Sequence, residues 1–218
     1  PSVEFLLGRD LDVVHGTNFY LPETRRAKRI ISVHDISFTT HPEWVNAKVV
    51  KPYATAMPRF CDAADGILVF SEFTKSEIIE HYATAAGKIH VVPHGIRSDW
   101  CRFDAAGAKE VVEGFGVRGP YVLYVGTIEE RKNIRGLLDA FARLGDLPHR
   151  LVLVGGMGWL PTGFEALVDE RGLGDRVVLP GYVAPESLSA FYKAADAFVF
   201  PSRYGGFGFP VLEAFSCD

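Results

Sequence analysis

Short apolar segments alternate with amphipathic ones from residue 121 onward, and this alternation restricts the fold more than any other feature. In the first amphipathic segment, Ile134, Leu137, Leu138 and Phe141 recur at helical spacing. Continuous Val- and Leu-rich runs are typical of strands that are buried on both faces. The pattern therefore predicts a parallel sheet with crossover helices. The strand-like segments are YVLYVGT at 121–127, HRLVLVGG at 149–156, RVVLPGYV at 176–183 and DAFVFPS at 196–202.

The first half of the sequence carries a looser version of the same alternation. Its predicted strands are LDVVHG at 11–16, RIISVHD at 29–35, GILVFS at 66–71 and KIHVVPHG at 88–95. The helix predicted before the third of them contains Pro52 and Pro58, which we expect to interrupt or kink it. We therefore predict an α/β protein with one lobe at 1–104, a connector at 105–119 and a second lobe at 120–218.

Both lobes are expected to be incomplete. The second lobe supplies four strand-like segments and ends within a predicted helix at Asp218, whereas a doubly wound lobe usually has five or six strands. The first lobe begins without a glycine-rich strand-to-helix turn. We expect the sequence to be part of a longer protein.

Composition narrows the choice of partners. The net charge of −4 argues against nucleic acid as a main partner, because binding to a phosphate backbone requires a basic surface. The one basic cluster is best explained as a solvated edge, with attraction to an acceptor or a membrane surface as the alternative. The cluster consists of Arg25, Arg26, Lys28 and Arg29.

Cysteine content and hydropathy predict a cytoplasmic protein. Cys61, Cys101 and Cys217 have no paired spacing, and their odd number suits a reducing compartment. No apolar run approaches the roughly 20 residues needed to cross a bilayer. Any membrane contact would be peripheral, at the inner face.

A glycine-rich loop near the end of the sequence is a candidate phosphate site. Gly205, Gly206 and Gly208 precede Pro210, where we expect a helix to open with Glu213 in its first turn. Exposed N–H groups at such a helix end favour an anion, and the carboxylate could accept hydrogen bonds from ribose hydroxyls. An ordinary glycine-rich turn explains the same residues equally well.

Ligands of parallel α/β sheets bind beyond the carboxyl ends of the strands, so the residues there form the candidate site. In the second lobe these are Gly126, Thr127, Arg131, Lys132, Asn133, Gly155, Gly156, Gly181, Tyr182 and Val183. In the first lobe they are His15, Gly16, His34, Asp35, Ser71, Glu72, His94 and Gly95.

Arg131 and Lys132 are predicted to lie at the opening of a helix, where two cations favour a diphosphate between them. The alternative is that they extend into water or pair with Glu129 and Glu130. His34 could face a cleft and take part in hydrogen bonding or proton transfer, although a histidine at a strand end is more often structural.

Other catalytic signatures are missing from the sequence. It has no GxxxxGK[ST] loop, no GxSxG elbow and no HExxH helix. His90 and His94 are four residues apart on a predicted strand, so they do not meet as metal ligands would. We expect no metal site.

With these residues considered together, the sequence resembles the family-four retaining glycosyltransferases of the GT-B type over nearly its whole length. The similarity lies in DVVHG at 12–16, SVHD at 32–35, VFSEFTKSEI at 69–78, VVPHGI at 91–96, YVGTIEERKN at 124–133 and YGGFGFPVLEAF at 204–215. The resemblance implies two Rossmann-like lobes that face a cleft.

The resemblance also implies roles for individual residues. Arg131 and Lys132 would hold the donor diphosphate, Glu213 the donor ribose, and His34 would come from the opposite lobe to lie near the transferred sugar. Other donor-binding positions would be Gly126, Thr127, Tyr182, Val183, Phe207, Gly208, Phe209, Pro210 and Val211, with Tyr182 and Val183 bordering the base. Acceptor-side positions would be His15, Asn18, Ser71 and Glu72.

The activity implied is transfer of a hexose from a nucleotide-diphosphate sugar, either GDP-mannose or a UDP-sugar, to a saccharide or lipid-linked acceptor. The anomeric configuration would be retained, and no cofactor or metal would be needed besides the sugar nucleotide as co-substrate. An epimerase or a phosphorylase of the same architecture is an enzymatic alternative.

The sequence departs from the family pattern at two positions. The family signature has two glutamates separated by seven residues, and Gly205 occupies the position of the first, so a carboxylate at the catalytic position is missing. His94 stands where the family often has Asn. The first departure leaves open a catalytically weak or silent subunit that binds a nucleotide sugar.

Overall fold

The computed structural model describes residues 1–158, 160 and 163–217, apart from the Val49 side chain. Within these residues the chain forms two compact units, 1–94 with 205–207, and 95–204 with 208–217. Asp218, the last residue of the predicted second lobe, lies outside the described residues.

The first unit is built on a four-stranded parallel sheet. The strands are β1 (Val13–Gly16), β2 (Lys28–Val33), β3 (Gly66–Val69) and β4 (Ile89–Val91), and they lie side by side in chain order. The helices are α1 (Val3–Leu7), α2 (Ser37–Thr40), α3 (Ala47–Ala63) and α4 (Glu72–Tyr82), with 3₁₀ turns at Pro42–Trp44 and Ala86–Lys88. All four predicted strands of this half are present.

Helix α3 runs without interruption through Pro52 and Pro58, so the predicted interruption does not occur. Met57 and Cys61 of this helix are fully buried in the same core as Ile31 of the sheet. Burial of that apolar face stabilises the helix, at roughly 1.5–3 kcal/mol for each large side chain. This gain offsets the hydrogen bonds that proline cannot donate.

The second unit also contains a four-stranded parallel sheet. Its strands are β5 (Tyr121–Val125), β6 (Arg150–Val154), β7 (Val177–Gly181) and β8 (Ala197–Phe198), in the spatial order β7-β6-β5-β8. The helices are α5 (Ala105–Gly114), α6 (Ile134–Ala142), α7 (Phe164–Asp169), α8 (Pro185–Ala194) and α9 (Phe209–Phe215), with a 3₁₀ turn at Glu130–Lys132. The α/β prediction, with two parallel sheets, is confirmed.

The segment predicted as a connector at 105–119 contains helix α5. Ala108 and Val112 of this helix are buried with Val117 in the core of the second unit. Asp104 caps the helix, since its side chain accepts a 2.8 Å hydrogen bond from the Gly107 N–H. The structure therefore places this segment within the second unit.

Candidate functional site

Glycines allow the backbone to pack closely at the carboxyl edge of the second sheet. Gly126 and Gly155 have φ angles of +147° and +148°, which residues other than glycine rarely adopt. A Cβ atom on Gly155 would lie 2.2 Å from the Gly126 carbonyl oxygen. The Thr127 carbonyl accepts a 3.0 Å hydrogen bond from the Tyr124 hydroxyl. Gly126 and Thr127 therefore form a fixed backbone surface at this edge.

Arg131 lies next to that edge and is already paired. Its Nε is 2.7 Å from Glu129 Oε1, and its Nη1 donates to the Tyr204 carbonyl at 3.3 Å. The ion pair lacks the alignment of a hydrogen bond, since Glu129 Oε1 is buried without a hydrogen-bond partner. About a fifth of each of the two side chains is exposed, so a diphosphate would have to compete with Glu129 for the guanidinium.

The sequence predicted that Arg131 and Lys132 lie at the opening of a helix, but the structure places them before it. They belong to the 3₁₀ turn Glu130–Lys132, and α6 begins at Ile134 after Asn133, which has a φ angle of +59°. The chain changes direction sharply at Asn133, and this change separates the two side chains from α6. Their proposed interaction with an anion does not depend on the end of that helix.

Arg203 is a third cation at this place, and the sequence analysis missed it. Its Nη1 is 3.3 Å from Glu130 Oε1, and its N–H donates to the Arg131 carbonyl at 3.0 Å. The Lys132 ammonium lies 5.2 Å from the centroid of the Phe200 ring. We call Arg131, Lys132 and Arg203 the cationic cluster. The only sequence signal for Arg203 is its place five residues after the end of β8.

The glycine-rich loop opens α9 one residue earlier than predicted. Gly208 is the N-cap with a φ angle of +85°, Phe209 is the first helical residue, and Pro210 is the second. Pro210 has no N–H, and the Val211 N–H donates to the Gly208 carbonyl at 3.0 Å. Pro210 and Val211 therefore offer no free N–H group to an anion.

Glu213 is the fifth residue of α9 and is not in the first turn, which corrects the prediction. The residue is 7% exposed, and its Oε2 accepts a 2.7 Å hydrogen bond from the Tyr192 hydroxyl. Burial raises the pKa of the Glu213 carboxyl, and the hydrogen bond from Tyr192 opposes that rise. The carboxylate that was expected to meet a ribose is thus held inside the unit by a partner on α8.

Tyr182 and Val183, which follow β7, differ sharply in exposure. Tyr182 is 78% exposed, whereas Val183 is 4% exposed and belongs to the core. Only Tyr182 presents a side chain on which a base could stack. A contact between a ligand and Val183 would have to use the backbone.

The carboxyl ends of the strands in the first unit bring together a group of rings. His34 follows β2, and its imidazole stacks on Phe70 with 4.8 Å between ring centroids. The Phe70 ring in turn stacks on His94 at 3.9 Å. His34 Nε2 is 3.2 Å from the Thr17 carbonyl oxygen, which can only accept, so Nε2 carries the proton of that hydrogen bond.

The proposed acceptor-side residues have different surroundings. His15 Nε2 lies 2.9 Å from Ser32 Oγ, and Asn18 and Glu72 are exposed. Ser71 caps α4, because its Oγ accepts from the Thr74 N–H at 3.2 Å. These positions share the carboxyl edge of the sheet with His34, and the hydrogen bonds above tie His15 and Ser71 to neighbours within the first unit.

Gly205, Gly206 and Phe207 are grouped with the first unit, although they were predicted to complete the second. Within the first unit, Ser71 Oγ donates to the Gly206 carbonyl. The Phe207 ring meets His94 edge-on, with 5.1 Å between centroids. Gly205 brings no carboxylate to this place.

Among the residues that the structure describes, no three His, Cys, Asp or Glu side chains are grouped so that they could hold a metal ion. No helix in this described part of the chain has the length and apolar character needed to cross a bilayer.

The second unit has the architecture of a Rossmann-like nucleotide-binding domain, with glycines and cations at the carboxyl ends of parallel strands. A family model described as "Glycosyl transferases group 1" matches residues 108–218, and one described as "Glycosyltransferase Family 4" matches residues 2–100. The chain belongs to the group 1 glycosyl transferases. The resemblance noted from the sequence motifs is thereby confirmed.

A relative with a similar sequence agrees with this assignment, and solved structures share the fold. The O-antigen chain mannosyltransferase B of Escherichia coli is 37% identical over 209 residues, which are 94% of this chain and 55% of that protein. Sucrose-phosphate synthase from Thermosynechococcus elongatus superimposes with a TM-score of 0.75 at 24% identity, over 98% of this chain and 55% of the other. The Anabaena protein HepE, solved with UDP-glucose, superimposes with a TM-score of 0.70 at 19% identity, over 88% and 51%.

These structural neighbours have the GT-B fold, as the sequence predicted. The chain spans about half the length of the mannosyltransferase that it matches. Activity, substrates and partners of the whole protein are therefore matters for proposal.

Proposed function

We propose that the protein transfers a hexose from a nucleotide-diphosphate sugar to a saccharide or lipid-linked acceptor, with retention of the anomeric configuration. The observation that carries the proposal is the cationic cluster beside the glycines at the edge of the second sheet, in a member of the group 1 glycosyl transferases. Arg131 and Lys132 would neutralise the charge that grows on the leaving diphosphate. Catalysis would then consist largely of positioning and electrostatic stabilisation.

Mannose is the sugar we favour. The relative with 37% identity is a mannosyltransferase, and its match covers 94% of this chain. A GDP-linked mannose is our first candidate, followed by a UDP-sugar, since a structural neighbour was solved with UDP-glucose. Thermal-shift measurements against GDP-mannose and UDP-sugars test the choice, because a ligand at 100 times its Kd stabilises the fold by about 2.7 kcal/mol.

The first unit would supply the acceptor-side groups. His34 keeps Nε2–H on the Thr17 carbonyl, so its Nδ1 is left to accept a hydrogen bond from a hydroxyl when the ring is neutral. The cytoplasmic location, the lack of a metal requirement and the roles of single site residues remain predictions. The relatives give no support to a silent subunit.

Replacement of Arg131 by Ala in the full-length protein is the decisive experiment. Loss of one charged contact to the transition state is expected to lower kcat/KM by about 10²–10³-fold, which corresponds to about 2–4 kcal/mol. Arg143→Ala is the matched control, because Arg143 is exposed at the C-cap of α6 in the same unit. Equal kcat/KM values for wild type and Arg131→Ala would refute the assignment.

The stereochemistry and the Gly205 position are tested separately. NMR of the product under initial-rate conditions gives its anomeric configuration, and an inverted product would contradict retention. Gly205→Glu restores the family carboxylate, and the variant is expected to turn over faster than the wild-type protein. A protein that binds the nucleotide but transfers no sugar in either form would not be an enzyme.

A further inference from the structure

The three-residue turn that carries Arg131 and Lys132 has little support of its own. Inside it, the Lys132 N–H donates to the Glu129 carbonyl at 3.1 Å. The Asn133 N–H donates to the Glu130 carbonyl at 2.9 Å. Hydrogen bonds of this 3₁₀ type have poorer geometry than those of an α-helix, and they rarely continue beyond three or four residues. The position of the turn therefore depends on its contacts with the rest of the unit.

The segment 202–204, which comes after β8, is bonded to this turn through the main chain. The Arg203 N–H donates to the Arg131 carbonyl at 3.0 Å, and Arg131 Nη1 donates to the Tyr204 carbonyl at 3.3 Å. The Tyr204 carbonyl also accepts a 2.9 Å hydrogen bond from the Ser202 hydroxyl. Arg131 is thus held through both its main chain and its side chain by two successive residues.

An ion pair joins the same two parts of the chain through their side chains. Arg203 Nη1 lies 3.3 Å from Glu130 Oε1, with 43% of the Arg203 side chain and 19% of the Glu130 side chain exposed. The ion pair acts on the first residue of the turn, and the backbone bond from Arg203 acts on the second. By Coulomb's law, a carboxylate at this place opposes the binding of a diphosphate. Glu130 would therefore lower the affinity for a diphosphate if charge were its only effect.

We propose that Arg203 is a positioning residue, which acts through Glu130 to hold Arg131 and Lys132 where they meet the diphosphate of the donor. The inference rests on the proposed function, in which those two cations bind the diphosphate. The competing explanation is that Arg203 itself binds the diphosphate.

The two explanations predict opposite effects when the Glu130 carboxylate is removed. If Arg203 acts through Glu130, loss of the carboxylate releases the turn and weakens nucleotide binding. If Arg203 binds the diphosphate directly, loss of the carboxylate frees the guanidinium from its partner and strengthens nucleotide binding.

Titration calorimetry of the full-length protein with GDP and with UDP tests the proposal. Glu130→Gln and Arg203→Gln should each raise the Kd of the nucleotide that the wild type binds by about 2- to 5-fold, the range that a partly exposed ion pair supports. The double variant should lose no more affinity than either single variant, because both substitutions remove the same contact. Arg203→Lys keeps the positive charge and should recover part of the affinity.

Asp139→Asn is the matched control. It weakens another ion pair of the second unit, in which Arg171 Nε lies 2.7 Å from Asp139 Oδ1, and it should leave the Kd unchanged. Amide hydrogen exchange of the unliganded protein supplies a readout that needs no nucleotide. Exchange at residues 130–133 should be faster in Glu130→Gln and in Arg203→Gln than in the wild type, and unchanged in the control. Urea unfolding of each variant shows whether it is folded.

Four results would each overturn the positioning role. They are a Kd that Glu130→Gln leaves unchanged or lowers, additive losses in the double variant, an Arg203→Lys variant that binds no better than Arg203→Gln, and unchanged amide exchange in both single variants. A wild-type protein that binds neither nucleotide would instead refute the proposed function, and the positioning role with it.

Discussion

The Tyr192 hydroxyl donates a 2.7 Å hydrogen bond to Glu213 Oε2 inside the second unit. Tyr192 lies on α8 and Glu213 on α9, and both residues are buried. The bond joins the helix that follows the glycine-rich loop to the body of the unit. It therefore couples the position of α9 to the core.

Tyr192→Phe should lower the free energy of unfolding by about 1.5–3 kcal/mol, because a hydrogen bond to a charged group is lost and the buried carboxylate keeps its desolvation cost. Urea unfolding measures the change. Tyr121→Phe is the matched control, since the Tyr121 hydroxyl donates at the same 2.7 Å to a neutral acceptor, the Phe191 carbonyl. The control should cost only about 0.5–1.5 kcal/mol. Equal losses in the two variants would contradict a charged Glu213.

The sequence predicted the strands well because their signal is local. Each predicted strand became a strand, since a parallel strand buried on both faces needs a continuous apolar run such as LVLV at 151–154. Helix α3 shows the limit of local signals. Its two prolines indicate a break, and only the burial of Met57 and Cys61 against a distant sheet explains why the helix continues.

The chemistry of the site was less predictable than the fold. Arg131 and Lys132 were found from their place after a strand, but the pairing of Glu130 with Arg203 joins residues 73 positions apart. The partner of Glu213 lies on another helix, and the sequence shows no spacing rule that connects them. Contacts of this kind depend on tertiary packing, which a single sequence does not reveal.

The raised pKa of Glu213 predicts a specific pH dependence of stability. Between the ordinary carboxyl pKa of 4.5 and the raised folded value, the folded state binds more protons than the unfolded state. The contribution of Glu213 to stability therefore falls as pH rises through this window and is constant above it. Glu213→Gln should remove this fall, which unfolding curves of both proteins across the window would show. A wild-type minus variant difference that rises with pH would mean that the sign is wrong.

The contribution of Glu4 to stability should have the opposite pH dependence, in the acid range. The N–H groups of Arg25, Arg26 and Ala27 donate to its carboxylate at 2.9–3.2 Å. Burial acts to raise the pKa of Glu4, but the backbone hydrogen bonds outweigh it and bring the pKa to about 2.

The stability that Glu4 contributes is thus present above its ordinary pKa of 4.5 and is lost as pH falls toward 2. Glu4→Gln should be less stable than wild type at pH 7, and the difference should shrink in this acid window. Glu72→Gln is the control, because Glu72 is exposed at the start of α4. Acid titration of the unfolding free energy checks both, and a difference that does not change with pH would exclude the carboxylate charge as its cause.

The stacked rings of His34, Phe70 and His94 place an imidazole where it affects the protonation of His94. The two imidazoles have centroids 6.3 Å apart. Burial and the neighbouring His34 lower the pKa of His94 below its usual 6.5. Between that lowered value and 6.5 the unfolded state binds more protons, so the contribution of His94 to stability is complete above pH 6.5 and is lost as pH falls through the window.

Replacement of His34 by Gln removes one of the two causes, and the pKa of His94 should move back toward 6.5. Titration of the imidazole signals by NMR in wild type and variant measures this directly. His81→Gln serves as the control, because His81 lies on α4 and takes no part in the ring stack. If the titration of His94 is the same in wild type and His34→Gln, the two imidazoles do not sense each other, and burial alone sets the pKa of His94.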